Sequence, residues 1–315
     1  MNPHRRKVFG RIAGVVLSAV AMMWAAVTLA FLAVHIAPGD PVIAIMGESS
    51  DPALRARIEQ DWGLDRPLLV QYGHHLGRLL HGDLGYSYVR GEPVTDIVFG
   101  EQLGSSAQLA GFALLLAVVL APLLAVLTAG RRDVLSRSIT TAEIVVASAP
   151  PFWTGLLLIW IFAFTLKALP VTAGNEFQRL ILPAVTLALP IAAVLAQVMR
   201  EGIERALEQP FALTARSRGI GATRLRLRHG LRHSLIPAAT LAGWAVSGLL
   251  TGTVVVEEVF GRSGVGRATV EAVGYSDVPV VLGVALLSAA VYLIVTVVVD
   301  IAYLWIDPRL QEASA

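Results

Sequence analysis

Glu208-Gln209-Pro210-Phe211-Ala212-Leu213-Thr214-Ala215-Arg216-Ser217-Arg218-Gly219 is a polar, arginine-rich island between two long apolar runs. It continues through a basic segment to Leu235-Ile236-Pro237. The spacing predicts a short helix over 211–218. Pro210 suits a first turn, where its missing N–H would be unpaired anyway. Gly219 suits the stop, because many helices end on a residue of positive φ, which glycine adopts without a Cβ clash. Helical spacing puts Phe211, Ala215 and Arg218 on about one face. A small-residue helix at the end of a membrane domain fits a groove on a soluble partner. The plainer alternative is a solvated loop.

Composition sets the environment. Hydrophobic residues make up 55% of the 315, charged residues only 15%, and mean hydropathy is +0.67. Soluble domains carry about 25% charged residues, so these values point to an all-α polytopic membrane protein. There are no cysteines, which excludes disulfides and thiolate metal sites. Lys7 and Lys167 are the only lysines. A P-loop needs a lysine behind a glycine-rich turn to reach nucleotide phosphates, and neither lysine has that setting. If ATP drives this protein, ATP and its Mg²⁺ sit on other subunits and this chain binds no cofactor.

Six transmembrane helices are expected. Residues 1–11 form a basic N-terminal segment, and 12–36 the first span. At ~1.5 Å per residue this run reaches ~37 Å, enough for the ~30 Å hydrocarbon core. It is longer than the apolar core of a cleaved signal peptide, about 7–15 residues. Residues 37–104 read as an extracytoplasmic loop, punctuated by Gly39-Asp40-Pro41, Trp62-Gly63-Leu64-Asp65-Arg66-Pro67 and Gly82-Asp83-Leu84-Gly85-Tyr86-Ser87. Residues 105–306 hold five more spans: Ala107–Ala129, Ile139–Leu166, Ile181–Met199, Ile236–Val256 and Pro279–Val299. A basic loop at 200–236 interrupts them, Glu257–Val278 re-enters from outside, and 307–315 form a tail. Pro150 and Pro151 remove helix hydrogen bonds and are expected to kink the third span. Ile220, Leu227, Leu231 and Leu235 share a helical face, and Arg224, Arg228 and Arg232 recur every fourth residue, as in a helix lying against anionic lipid. Most of the 25 lysines and arginines fall before the first span, in Arg131–Arg137, in Arg200–Arg232 and in the tail. The positive-inside rule therefore places both termini in the cytoplasm. The expected surface for these basic segments is the bilayer, not nucleic acid.

Thr214-Ala215-Arg216-Ser217-Arg218-Gly219 with Arg228-His229-Gly230-Leu231-Arg232-His233-Ser234-Leu235-Ile236-Pro237 resembles the coupling (EAA) loop of ABC importer permeases. More narrowly it is similar to the dipeptide/oligopeptide/nickel branch, although Leu-Thr-Ala stands where the loop's name expects Glu-Ala-Ala. Ser148-Ala149-Pro150-Pro151-Phe152-Trp153 is similar to that branch's Ser-x-Pro-x-Phe-Trp, with an extra proline. Val256-Glu257-Glu258-Val259-Phe260 through Gly266 resembles its Glu-x-x-Phe … Pro-Gly-x-Gly mark, with Ser263 in the proline position. The resemblance runs from Arg11 to Arg309. It implies a type I ABC importer permease that pairs with a second homologous permease and two ABC ATPase subunits. An extracytoplasmic substrate-binding protein would deliver a di- or oligopeptide, or a chelated metal such as nickel. The resemblance assigns ATPase coupling to Phe211, Thr214, Ala215, Arg216, Arg218 and Gly219. Pro150, Pro151 and Trp153 are candidates for the translocation path.

Other chemistry was weighed. Gly261-Arg262-Ser263-Gly264 matches a serine-protease motif, but such a nucleophile needs a histidine base, and the only one near a span is His35. His74, His75 and His81 would suit nickel or zinc, against a plain hydrated surface. Glu143 and Asp300 are the ionisable residues nearest the membrane, and intramembrane carboxylates mark ion pathways. Both fall near expected span ends, where a structural role suffices. That scarcity of mid-membrane charge and the lack of a clear internal repeat count against a gradient-driven secondary transporter.

Overall fold

Every long apolar run of the sequence becomes helix. The computed structural model of the protein describes residues 3–36, 40–46, 51–87 and 89–306. In chain order the helices are α1 (Pro3–Ile36), α2 (Pro41–Met46), α3 (Pro52–Trp62), α4 (Leu68–Leu80), α5 (Val94–Phe99) and α6 (Glu101–Thr128). Next come α7 (Val134–Ser148), α8 (Pro151–Leu158), which runs into a π-helical turn at Ile159–Thr165, α9 (Glu176–Leu207) and α10 (Pro210–Ser217). Then α11 (Ala222–Leu225) passes through a second π-turn, Arg226–Gly230, into α12 (Leu231–Thr240). The last three are α13 (Ala242–Phe260), α14 (Val265–Gly274) and α15 (Val278–Ile306). The only β-pairing among the described residues is one bridge, Tyr86 to Pro93. The tail at 307–315 and the side chains of Asp300 and Tyr303 lie outside what is described.

Val94–Thr128, Glu176–Leu207 and Val278–Val295 are each long and apolar enough to cross a membrane. Two bent helix pairs, Val134–Ser148 with Pro151–Thr165 and Pro237–Val246 with Gly248–Phe260, bring the number to five. Val20–Ala33, inside α1, is a shorter apolar stretch. The six expected segments thus each fall on apolar helix.

The chain forms two compact units: residues 1–105 with 263–294, and residues 106–262 with 295–315. In the first, α5 packs Val94, Ile97 and Val98 against Ala268, Ala272, Val280, Val281 and Val284. Val27 and Phe31 of α1 join Val278 and Leu282 of α15. Ser87 donates to the carboxylate of the buried Asp277, which ties the long polar loop to the start of α15. The segment expected as an extracytoplasmic loop shares its core with the re-entry segment and the last helix.

In the second unit α9 is central, with α7, α8, α12 and α13 packed on it. Leu109, Ala113, Ala117, Ala121 and Ala125 of α6 are fully buried at every fourth position, and Leu115, Val118, Val119 and Leu123 point outward. This sorting, small inside and large outside, follows from the solvent. Lipid tails are as apolar as leucine, so close backbone packing rather than water exclusion drives helix association. Asn175 and Gln178 form a reciprocal capping box at the start of α9, which satisfies orphan amides there.

Two expectations change. The third span is broken rather than kinked, since α7 and the α8 segment meet at 117°. A residue before proline is pushed out of the helical region. With two prolines in succession both Ala149 (ψ 136°) and Pro150 (ψ 137°) are extended. The arginine-rich segment also differs. A π-turn adds a residue to one turn of the helix, so a face read at constant 3.6-residue spacing slips. Leu227 and Leu235 are half exposed, and Leu225, Gly230 and Ser234 are buried instead. A Cβ on Gly202 would lie 2.9 Å from Ser234 Cα, and one on Gly230 would lie 2.8 Å from Ile203 Cγ2. Gly202 lets α9 touch the backbone of α12, and Gly230 leaves room for the Ile203 side chain.

Glu143 of α7 forms an ion pair with Arg200 of α9, their side chains only 4% and 12% exposed. Arg200 Nε also donates to Thr128 Oγ1 of α6 at 2.7 Å. Three helices thus meet at one guanidinium. Removing one member of such a pair leaves an uncompensated buried charge, at a cost of about 3–5 kcal/mol, whereas replacing both is often neutral. Glu143→Met is expected to lower the thermal midpoint of the detergent-solubilised protein by several degrees. The Glu143→Met/Arg200→Met double variant should recover most of that loss. Equal destabilisation by the single and double variants would show that the pair is not what holds α7 to α9.

Candidate coupling site

Pro210 opens α10, Gln209 adopts the extended N-cap conformation (ψ 151°), and Gly219 lies at φ +79°. Gly219 N–H bonds to Arg216 O at 2.9 Å, and Ile220 N–H reaches Ala215 O at 3.1 Å. This pair of bonds is a Schellman motif, which satisfies carbonyls the helix end would otherwise orphan. A Cβ at Gly219 would meet nothing within 4 Å, so glycine is required there by φ and not by crowding. Ser217 Oγ donates to Thr214 O at 2.9 Å.

The helix turns its small face inward. Ala212 is fully buried, and Phe211 and Ala215 are half-buried. The Phe211 ring stacks on His233 with centroids 5.5 Å apart and sits 6.0 Å from His229. Thr214, Arg216, Arg218 and Gly219 are exposed. Leu213 is the most outward apolar residue of the helix, 71% exposed. It is not among the residues to which the resemblance assigns coupling. The structure thus brings Phe211 and Ala215 against the body of the unit and leaves Thr214, Arg216, Arg218 and Gly219 at the surface.

Pro150, Pro151 and Trp153 lie together at the break between α7 and α8. Pro150 O accepts from Trp153 N–H at 3.1 Å, and the Trp153 side chain is about half exposed. Gly155, one turn on, is buried in contact range of Phe260, Val259 and Thr186, which docks α8 on α13 and α9. Near the end of α13 the fully buried Glu257 accepts from Ser106 Oγ at 2.6 Å. Ser263 lies exposed in the turn before α14.

Residues 113–312 match the family model "Binding-protein-dependent transport system inner membrane component", and residues 8–106 match its N-terminal companion. The chain belongs to this family. It is 35% identical over 287 residues to the glutathione transport system permease protein GsiC of Escherichia coli O6:H1, covering 90% of this chain and 92% of that one. The GsiC proteins of Salmonella choleraesuis and of E. coli K12 are each 34% identical with the same coverage. The protein is therefore an ABC importer permease of the peptide/nickel family, with the apolar helices of an inner-membrane component. The family implies ATPase and substrate-binding partners.

The three loop histidines have separate surroundings. Arg66 donates to His74 Nε2 at 2.9 Å, and His81 Nδ1 bonds to Gly77 O at 2.8 Å. His75 is buried with its Nε2 unpartnered. Among the described residues no three His, Asp or Glu side chains converge as a metal site would require. Burial, with the Arg78 charge adding to it and Asp83 opposing, pushes the His75 imidazole down to about 4 from its ordinary 6.5. Between those values the unfolded chain binds the proton and the folded chain does not, so stability falls as pH drops from 6.5 towards 4, by roughly 3 kcal/mol in all. Hydrogen exchange in α4, corrected for intrinsic rate, is expected to be faster at pH 5 than at pH 7.5. His75→Met should abolish that difference, and an undiminished difference in the variant would assign it to another group.

Proposed function

We propose that this chain is the membrane-spanning permease of an ATP-driven importer of di- or oligopeptides, glutathione-like tripeptides included. The observation that carries the substrate class is the likeness over 90% of the chain to permeases named for glutathione transport. Both termini face the cytoplasm in this reading, which the concentration of arginine in 131–137 and 200–232 supports. A second homologous permease completes the pathway, with Pro150, Pro151 and Trp153 on its wall. Two ATPase subunits bind ATP and Mg²⁺, and an extracytoplasmic binding protein delivers the peptide.

The work passes through α10. ATP binding closes the ATPase pair, and the helix, held to α12 by the Phe211–His233 stack and ended sharply at Gly219, carries the motion to the spans. ATP shifts the inward–outward equilibrium only by its differential affinity for the two states. A helix end that frays would therefore dissipate the coupling.

In cells lacking only this gene, ATP-dependent uptake of labelled dipeptide or glutathione should be lost and nickel uptake kept. Loss of nickel uptake alone would move the chain to the metal branch of its family. Uptake that survives ATP depletion and collapses with the proton gradient would sink the proposal. A second test concerns the cap. Gly219→Val forces a β-branched residue into the left-handed region, at about 1–2 kcal/mol, or roughly tenfold in the capped population. Transport is expected to fall by about that factor with membrane levels unchanged, while Gly219→Asn, which tolerates this conformation, should transport nearly normally. Normal transport by the valine variant would remove α10 from the coupling path.

A further inference from the structure

Arg226 opens the π-turn between α11 and α12 and is more than nine-tenths buried. Among the described residues no hydrogen bond or ion pair reaches its side chain, and its buried Nε is unsatisfied. Its Nη2 lies beside Gly130. A buried guanidinium nitrogen without a partner is costly. Burial, with the Arg131 charge adding to it and Asp133 opposing, holds its pKa below the ordinary arginine value.

Arg226 lines a cavity of about 930 Å³ between the α6–α7 turn, the end of α9, α10 and α11. Arg131, Arg132 and Arg216 line it too. The acids nearby are largely engaged. Glu204 accepts from Gly130 N–H at 2.9 Å, and Asp133 caps α7 by accepting from Ser136 N–H at 2.8 Å. Glu208 also lines the cavity and is solvent-exposed. Arginine forks match tetrahedral oxyanions in geometry as well as charge.

We propose that this cavity is a binding site for a phosphate group, either inorganic phosphate or the phosphodiester of an anionic lipid headgroup. Arg226 is the anchor and Arg131, Arg132 and Arg216 are the rim. One wall is α10, through Pro210, Leu213 and Arg216, so an anion there would tie the coupling helix to the α6–α7 turn. The site goes beyond the transport reading and its binding is measurable without transport.

The test uses the full chain purified in non-ionic detergent, delipidated, at constant ionic strength set with chloride. Inorganic phosphate at about tenfold excess over its dissociation constant should raise the thermal midpoint by roughly 2–4 °C. Arg226→Leu should lose that shift and, in phosphate-free buffer, be at least as stable as the wild type. Arg179→Ala, outside the cavity, should keep the shift. A rise with phosphatidylglycerol but not with phosphate identifies the lipid as the source, with the same dependence on Arg226. Equal shifts in wild type and Arg226→Leu, or no shift with either probe, overturn the proposal. The second result would leave the cavity to an acidic side chain of a partner protein.

Discussion

The close approach of α9 to the α11–α12 run is the constraint on which the second unit depends. Gly202 lies against Ser234 and Gly230 against Ile203, each closer than an added Cβ would permit. With no side chain at either glycine, stability here comes from contact distance and from the few polar groups that find one another. The contact lets α12 ride on α9 and so fixes the histidines on which Phe211 stacks. The Phe211–His233 stack thus holds α10 to α12.

The polar groups of this unit serve the same end. Arg200 joins α7 through Glu143 and α6 through Thr128, two residues before Gly202 on the same helix. An ion pair in this position fixes which turn of α7 faces which turn of α9, something a stripe of alanines cannot do because alanine packing is nearly invariant to sliding. The Ala113–Ala125 stripe supplies proximity and the Glu143–Arg200 pair supplies register.

Much of this was legible in the sequence. Pro210 and Gly219 bracket α10 because each has a distinct backbone chemistry, and the uncharged runs announce the spans. What escaped has physical reasons. Periodicity assumes a constant turn, so the π-turn at Arg226–Gly230 moved the packed face from the leucines to Gly230 and Ser234. Glu143 and Arg200 are 57 residues apart, and no local pattern pairs them. The burial of Arg226 was hidden among the exposed Arg224 and Arg228, which look the same in one dimension. Hydropathy along α6 does not reveal its inward face, because both faces are apolar and only side-chain size differs. The repeat of alanine at every fourth position carried that information.

The break at Ala149–Pro150 follows from the same solvent. Pro150 and Pro151 have no N–H, so the carbonyls of Val146 and Ala147 lose their ordinary helical donors, and Ala149 N–H turns back onto Val146 at 3.3 Å. Hydrocarbon supplies no donor for the remaining oxygen, and irregular backbone at membrane depth survives only against protein or beside water. Within its own unit α8 is already docked through Gly155, which leaves the large side chains Phe152, Trp153, Leu156 and Trp160 half exposed or more. At membrane depth, an aromatic surface beside a carbonyl without its helical donor is accommodated by a neighbouring subunit or a wetted path rather than by lipid alone. That requirement comes from hydrogen-bond accounting at two prolines, and it reaches the same wall of the protein to which the transport reading assigns the substrate.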